Sequence, residues 1–318
     1  MRAMVTTELG GPDLFEEQDV ESPSPGPGEI LVKIMAAGTN PVDAKLRAGA
    51  IPGAVEAPTV LGADISGVVE EVGAGVTDFA AGDEVYYTPE LFGPGANGSY
   101  AEYNVVPAAI VAPKPPSLSH EAAASVPLAG GTAWEAIIRR LAVKPGETVL
   151  VHGGAGGVGS FAVQIAKAAG ARVLATAGSS NQQTLADLGA DVCLDYTSDE
   201  VAEAAAAENG GEGVDAVFDT VGGQMEASSG YTRAFGRLAT IVPPEGDLTT
   251  VYLKNQTLYG VFLSRERHRL VELSNVIERG QVKPLVDEVL DLSEVGKAHE
   301  RLDSGHGRGK IVLKVSQS

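Results

Sequence analysis

Residues 148–167 read TVLVHGGAGGVGSFAVQIAK, and the order of residue types in this stretch decides the fold. Thr148, Val149, Leu150 and Val151 form a β-branched, apolar run that predicts a strand buried on both faces. Gly154, Gly156 and Gly159 follow in G-x-G-x-x-G spacing, with Ala155, Gly157 and Val158 between them. Beyond them Phe161, Ile165 and the Ala168-Ala169 pair recur at helical spacing. Strand, glycine turn and helix, in that order, are the parts of a dinucleotide cradle. The first glycine permits the tight turn, the second lets the backbone approach a pyrophosphate, and the third lets helix and strand pack closely. The helix start contributes free N–H groups and a partial positive charge. The alternative is a glycine-rich turn in some other α/β unit; the flanking strand and helix favour the nucleotide reading.

Downstream the chain alternates. Strands are expected at residues 172–176, 192–194, 214–218, within 236–242 and at 257–263, with helices at 182–188 and 199–208 between them. Such βαβ alternation means a parallel, doubly wound sheet. Upstream, residues 1–118 read as β-rich and turn-rich, with strands at 29–36, 68–72 and 84–87. Turn signals lie between, among them Gly73-Ala74-Gly75, Gly82-Asp83 and Gly93-Pro94-Gly95. Close-spaced short strands predict a small barrel or sandwich. Ser119 is expected to cap a helix. Residues 265–279 predict a helix closed by Gly280, and the tail mixes strands at 286–290 and 310–315 with a helix around 295–302. The expected organisation is α/β: a dinucleotide-binding domain over 119–263, and a β-rich domain over 1–118 that 264–318 completes.

Composition narrows the function classes. The chain has 318 residues with 44% hydrophobic content, enough for two domain cores and against disorder. There is no run of about 20 apolar residues of the kind that spans a membrane, and MRAMVTTELGGPD lacks the apolar core of a signal peptide, so a cytoplasmic location is expected. The single Cys193 excludes an internal disulfide and any cysteine-rich metal site. A formal net charge of −19 repels nucleic-acid phosphate and anionic membrane, so neither is an expected partner. The acidic excess fits a saline habitat or plain solubility equally well.

The chain resembles the zinc-independent quinone oxidoreductase branch of the medium-chain dehydrogenase/reductase superfamily. The motifs are AAGTNPVD at 36–43, LGADISGVV at 61–69, GSYAEY at 98–103, GTAW at 131–134, the glycine turn, and GKIVL at 309–313. This resemblance implies a GroES-like barrel built from both chain ends and an inserted Rossmann domain. It further implies reduction of quinones or α,β-unsaturated carbonyls with NADP(H). Zinc-binding relatives carry a catalytic cysteine, a Gly-His-Glu motif and a four-cysteine lobe. Here Ala63 and Asp64 stand in place of that His and Glu, and the thiolates are absent, so no metal is expected.

Asn40, Asp43 and Lys45 are the catalytic candidates. The alternative for Asn40 is a helix cap before Pro41, with Asp43 in the first turn and Lys45 a solvated charge. Lysine at 45 resembles the alkenal and enone reductases of the branch. Thr132 matches the family threonine beside the nicotinamide, or is an ordinary helix residue. Tyr86, Tyr87 and Tyr100 line the substrate site or serve packing, and His152 reads as a satisfied core residue. Asp219, Val221 and Gly222, and Val242-Pro243, follow the fourth and fifth strands of the nucleotide domain, where parallel sheets bind ligands. The resemblance adds Phe262, Leu263 and Lys310 to the cofactor contacts.

Ala175-Thr176-Ala177-Gly178-Ser179-Ser180-Asn181, at the end of the second strand of that domain, lacks the acid that binds a ribose 2′-hydroxyl in NAD-specific folds. Gly178, Ser179 and Ser180 leave room for a 2′-phosphate, and Tyr196 matches a tyrosine that contacts it in quinone reductases. Gln182 stands where those relatives often have lysine, so the expected preference for NADPH is moderate. The apolar last strand, at an open edge, predicts a homodimer. The competing functions are metal-free alcohol dehydrogenation and a crystallin-like or RNA-binding relative that keeps nucleotide affinity.

Overall fold

The computed structural model describes residues 1–93 and 97–316, so the expected turn at Gly93-Pro94-Gly95 falls outside the described residues from Pro94 onward. The chain divides into two units. One comprises Met1–Ala129, Ser264–Glu278 and Pro284–Ser318; the other comprises Gly130–Leu263 and Arg279–Lys283.

In the first unit the strands are β1 (Arg2–Thr6), β2 (Phe15–Asp19), β3 (Glu29–Gly38), β4 (Thr59–Val60), β5 (Asp64–Val72), β6 (Glu84–Tyr87), β7 (Tyr103–Pro107) and β8 (Ala112–Pro113). The second unit holds β9 (Thr148–His152), β10 (Arg172–Ala177), β11 (Val192–Asp195), β12 (Val214–Asp219), β13 (Thr232–Thr240) and β14 (Thr257–Gly260). The returning segment adds β15 (Val286–Asp291) and β16 (Lys310–Lys314) to the first unit.

β3 is the spine of the first unit. Ile30, Val32 and Ile34 alternate inward as a half-buried strand requires, and Met35, Ala36 and Ala37 are then buried without interruption. Each large apolar side chain so buried contributes about 1.5–3 kcal/mol. β3 pairs antiparallel with β5, β7 and β16, within a sheet ordered β15-β16-β3-β5-β6-β8; a smaller sheet runs β2-β1-β4. Two registers bring distant polar residues together. Gly38 lies opposite Asp64, and Gly38 also lies opposite Val312, so continuing that antiparallel ladder sets Lys310 opposite Asn40.

The second unit is a six-stranded parallel sheet in the order β11-β10-β9-β12-β13-β14. Every residue of β9 and of β12 is buried, as in strands covered on both faces. The apolar run expected as a strand over 257–263 stops sooner: β14 ends at Gly260. Val261 still donates its N–H to Thr240 O at 2.8 Å, whereas Phe262 turns outward and is 79% exposed. The expected 199–208 helix is Val201–Gly211, ended by left-handed residues at Asn209 (φ 53°) and Gly210 (φ 72°). Ser119 caps its helix as expected, its side chain accepting from Ala122 N at 3.2 Å. Among the described residues no helix is long and apolar enough to cross a membrane.

Candidate functional site

The glycine turn of the second unit connects β9 to the helix Gly157–Ala168, with Gly156 at the N-cap. The structure redistributes the roles of its glycines. Gly153, not Gly154, takes the left-handed conformation, at φ 70°. Gly154 serves packing: a Cβ there would stand 2.8 Å from Ala175 Cβ and 2.9 Å from Leu185 Cδ2. A Cβ on Gly159 would stand 2.1 Å from the carbonyl oxygen of Gly153, so only glycine lets the helix approach the turn this closely. At Gly156 the nearest neighbour would be Gly153 O at 3.3 Å, and Gly156, Gly157 and Val158 are half-exposed while Ala155 is buried. The cradle is thus open on its outer face. The first-turn N–H groups behind it have no intrahelical acceptor and carry the positive end of the helix dipole. That arrangement fits the pyrophosphate of a dinucleotide.

Several of the other expected cofactor residues follow the carboxyl ends of strands of the same sheet. Asp219, the last residue of β12, is buried, and its carboxylate accepts from Val221 N and Gly222 N at 2.9 Å and from Gln224 N at 3.2 Å. It thereby fixes the loop that leaves Val221 exposed. After β13, the Thr240 hydroxyl accepts from Val242 N at 3.1 Å and donates to Val242 O at 2.8 Å. Gly178 is half-exposed and Ser179 and Ser180 are exposed after β10. Tyr196 is exposed after β11, and a Cβ on Gly178 would stand 3.6 Å from its hydroxyl. Gln182 turns back on this loop, donating to Ala177 O at 3.0 Å and Gly178 O at 3.3 Å. Thr132 is buried on the helix Pro127–Trp134, and Leu263 is half-buried. His152 is buried, with Nε2 at 3.2 Å from Ser228 Oγ and 3.0 Å from Tyr231 Oη. Burial pushes its pKa down to about 4 against the opposing charge of Asp219.

The first unit gathers a buried polar group around the helix Pro41–Arg47. Asn40 holds the N-cap position, in a capping box with Asp43. Its Nδ2 donates to Asp64 Oδ2 at 2.9 Å, and its Oδ1 accepts from the Lys310 ammonium. Lys310 Nζ is also 3.2 Å from Asp64 Oδ2, while Asp64 Oδ1 accepts from Leu128 N at 2.7 Å and Thr88 Oγ1 at 3.3 Å. Lys310, expected at the cofactor, is buried in this group. Asp43 Oδ2 accepts from Asn40 N at 2.8 Å and from Tyr100 Oη at 3.1 Å, and Tyr100 Oη is 3.1 Å from His299 Nε2. The GSYAEY segment seats Tyr100 against LGAD: Ser99 N donates to Gly62 O at 3.1 Å and Tyr100 N to Leu61 O at 3.0 Å. Gly62, at φ 111°, leaves no room for a Cβ beside the Tyr100 ring, 2.7 Å away.

Asp43 Oδ1 is buried without a hydrogen-bond partner. Burial, reinforced by the negative charge of Asp64 and opposed by Lys310, raises the Asp43 pKa to about 7. Burial and the nearby Arg47 charge push His299 down to about 3, and burial raises the Tyr100 hydroxyl above its ordinary value.

Lys45 does not join this group; it is exposed. Residues two apart face opposite sides of a helix, so Asp43 turned inward sends Lys45 outward. The residue four positions from Asp43 is Arg47. It is buried and bonds Asp303 through Nη2 at 2.6 and 2.8 Å and Gly10 O through Nη1 at 3.0 Å. Helical periodicity from Asp43 is the signal that points to Arg47. Nothing local marks His299 as a partner of Tyr100.

The family model for the GroES-like domain of alcohol dehydrogenases matches residues 26–116, and that for zinc-binding dehydrogenases matches residues 188–313. An NADPH-dependent alkenal/one oxidoreductase of Arabidopsis thaliana chloroplasts is 34% identical, over 98% of this chain and 79% of its own. The quinone oxidoreductase of Coxiella burnetii superposes with a TM-score of 0.90 at 32% identity, over 99% of both chains. The chain belongs to the quinone oxidoreductase branch of the medium-chain dehydrogenases/reductases. A structure described as an NAD-dependent alcohol dehydrogenase superposes with a TM-score of 0.93 at 36% identity, over 99% of this chain and 100% of its own.

Although one matching family model carries zinc binding in its description, the side chains of this medium-chain dehydrogenase/reductase do not fit that metal. Among the described residues no three His, Cys, Asp or Glu side chains converge. The Asp64 carboxylate is already shared between an ammonium, an amide, a hydroxyl and a backbone N–H. Tetrahedral zinc needs thiolate, imidazole or free carboxylate donors.

Proposed function

We propose that this oxidoreductase reduces quinones or α,β-unsaturated carbonyls with NADPH, without zinc, as a homodimer. The observation that carries the reading is the end of β10, where Ala177, Gly178, Ser179 and Ser180 offer room and exposed hydroxyls beside Tyr196 and no acid on that strand. Bound NADPH supplies a hydride to an electron-poor carbon. This chain's residues bind and orient. Gly156, Gly157 and Val158 face the pyrophosphate, and Asp219 and Thr240 hold Val221 and Val242 in place at the nicotinamide end. Thr132, Phe262 and Leu263 complete the proposed cofactor residues; the Lys310 ammonium is taken up by Asn40 and Asp64.

As the hydride arrives, negative charge develops on the acceptor's carbonyl oxygen, and donors already aimed at it lower the barrier. Asn40 Nδ2 has a second N–H beyond the one given to Asp64 and is the proposed donor; Lys45, turned to the other side of the helix, is not. Asp43, tied to Asn40 N and Tyr100, holds the helix start that presents it. Supporting the homodimer, β14 is an open sheet edge, and Tyr252 and Leu253 near it are exposed.

NADPH consumption measured with a quinone, an enone and a primary alcohol's aldehyde, after exhaustive chelation, tests the proposal. Turnover with the first two and not the third is expected. Turnover that requires added zinc would overturn it.

A further inference from the structure

We propose that Asp195, at the end of β11, limits discrimination in favour of the 2′-phosphorylated dinucleotide, so that NADH is accepted alongside NADPH. The inference rests on the proposed nucleotide binding and assigns the residue that sets its selectivity.

β10 lacks the ribose-binding acid, but its neighbour supplies one nearby. In the parallel β10–β11 ladder Ala177 lies directly opposite Asp195, and Tyr196 N donates to Ala177 O at 3.3 Å. The Asp195 carboxylate therefore begins beside the last residue of β10, at the root of the Gly178-Ser179-Ser180 loop. Its orientation is fixed: Oδ1 accepts from Thr197 N at 2.9 Å and Thr197 Oγ1 at 2.7 Å, and Asp195 N donates to Asp199 Oδ2 at 2.7 Å. The Thr197 bonds hold the carboxyl below its ordinary pKa, so it is ionised at neutral pH.

The Asp195 carboxylate decides the chemistry. A carboxylate only accepts hydrogen bonds, which suits a ribose 2′-hydroxyl, which donates, and it repels a phosphate of like charge. No Lys or Arg occurs in residues 173–182 or 192–198 to offset this, and Gln182 spends its amide on the loop backbone. At a separation on the order of 6 Å and an effective dielectric of about 40, one unit of charge weakens binding about tenfold.

The test is Asp195→Asn, which keeps Oδ1 as an acceptor for Thr197. Dissociation constants for NADPH and NADH, read by quenching of intrinsic fluorescence, give the answer without turnover. NADPH binding is expected to tighten about tenfold, with NADH changed less than about twofold. The gain should shrink at high salt, where charge is screened. Equal changes for both cofactors, or no change, would overturn the proposal. So would a wild type that already prefers NADPH by about a thousandfold, a measurement independent of how the variant folds. Failure to bind either dinucleotide would instead overturn the nucleotide reading itself.

Discussion

Replacing Asp43 by Asn isolates the buried carboxyl of the first unit, and its effect is a change of slope with pH. Asp43 is fully buried, with Oδ1 unpartnered, and its pKa stands at about 7 against an ordinary 3.8. The folded protein therefore binds this proton more tightly than the unfolded chain does. The resulting stability is fully present below pH 3.8 and is lost as pH rises through about 7. Between about pH 5.5 and pH 8.5 the group passes from almost wholly protonated to almost wholly charged in the fold. The difference is roughly 1.5 units at about 1.4 kcal/mol each, so about 2 kcal/mol is lost. The introduced asparagine would accept from Asn40 N and Tyr100 Oη as Asp43 does. Its amide nitrogen would be unpartnered at every pH, a constant offset that leaves the slope untouched. Urea unfolding of both proteins at the two pH values, at fixed ionic strength, measures this. Wild type should lose about 2 kcal/mol more than Asp43→Asn across the window. Parallel behaviour of the two proteins would refute the account of a strained carboxyl.

Gly159→Ala should cost about 1–3 kcal/mol or more in unfolding free energy and abolish NADPH binding, because its Cβ meets Gly153 O at 2.1 Å and the turn must move. Gly178→Ala is the control for stability, with ordinary contacts at 3.6 Å and φ −71°, and should stay within about 0.5 kcal/mol of wild type in the same unfolding assay. Light scattering at micromolar concentration should give twice the chain mass, and Tyr259→Lys on the β14 edge should lower it; a monomeric wild type would remove the dimer.

The nucleotide unit is largely legible in the sequence, because its signals are local. A both-face-buried strand has to be a continuous apolar run, so Thr148, Val149, Leu150 and Val151 announce β9 unaided, and Gly159 can be nothing but glycine where helix and turn touch. Finer assignments depend on backbone angles that spacing alone does not specify, so the tight turn falls to Gly153 rather than Gly154. The 257–263 run overshoots its strand because apolarity continues through Phe262 after the ladder has ended. In the first unit the candidates Asn40 and Asp43 are readable from their motif, but their partners are not. Lys310 reaches Asn40 across 270 residues and Asp64 across 246, and only the registers of β16 and β5 on β3 bring them together. Register is set by whole strands and their turns, not by any residue at the site. Lys45 shows the cost of reading a motif linearly: its place beside Asp43 in sequence becomes the opposite side of a helix.

The central claim is transfer of a hydride from NADPH to the electron-poor carbon of an activated double bond by this chain without a metal. Chelated protein, incubated with NADPH deuterated at the transferring position of the nicotinamide and with a small enone, should give a saturated ketone. Its deuterium should lie on the carbon β to the carbonyl, as seen by nuclear magnetic resonance of the product. Recovery of the enone unchanged, or deuterium on the carbonyl carbon of an allylic alcohol, would contradict it.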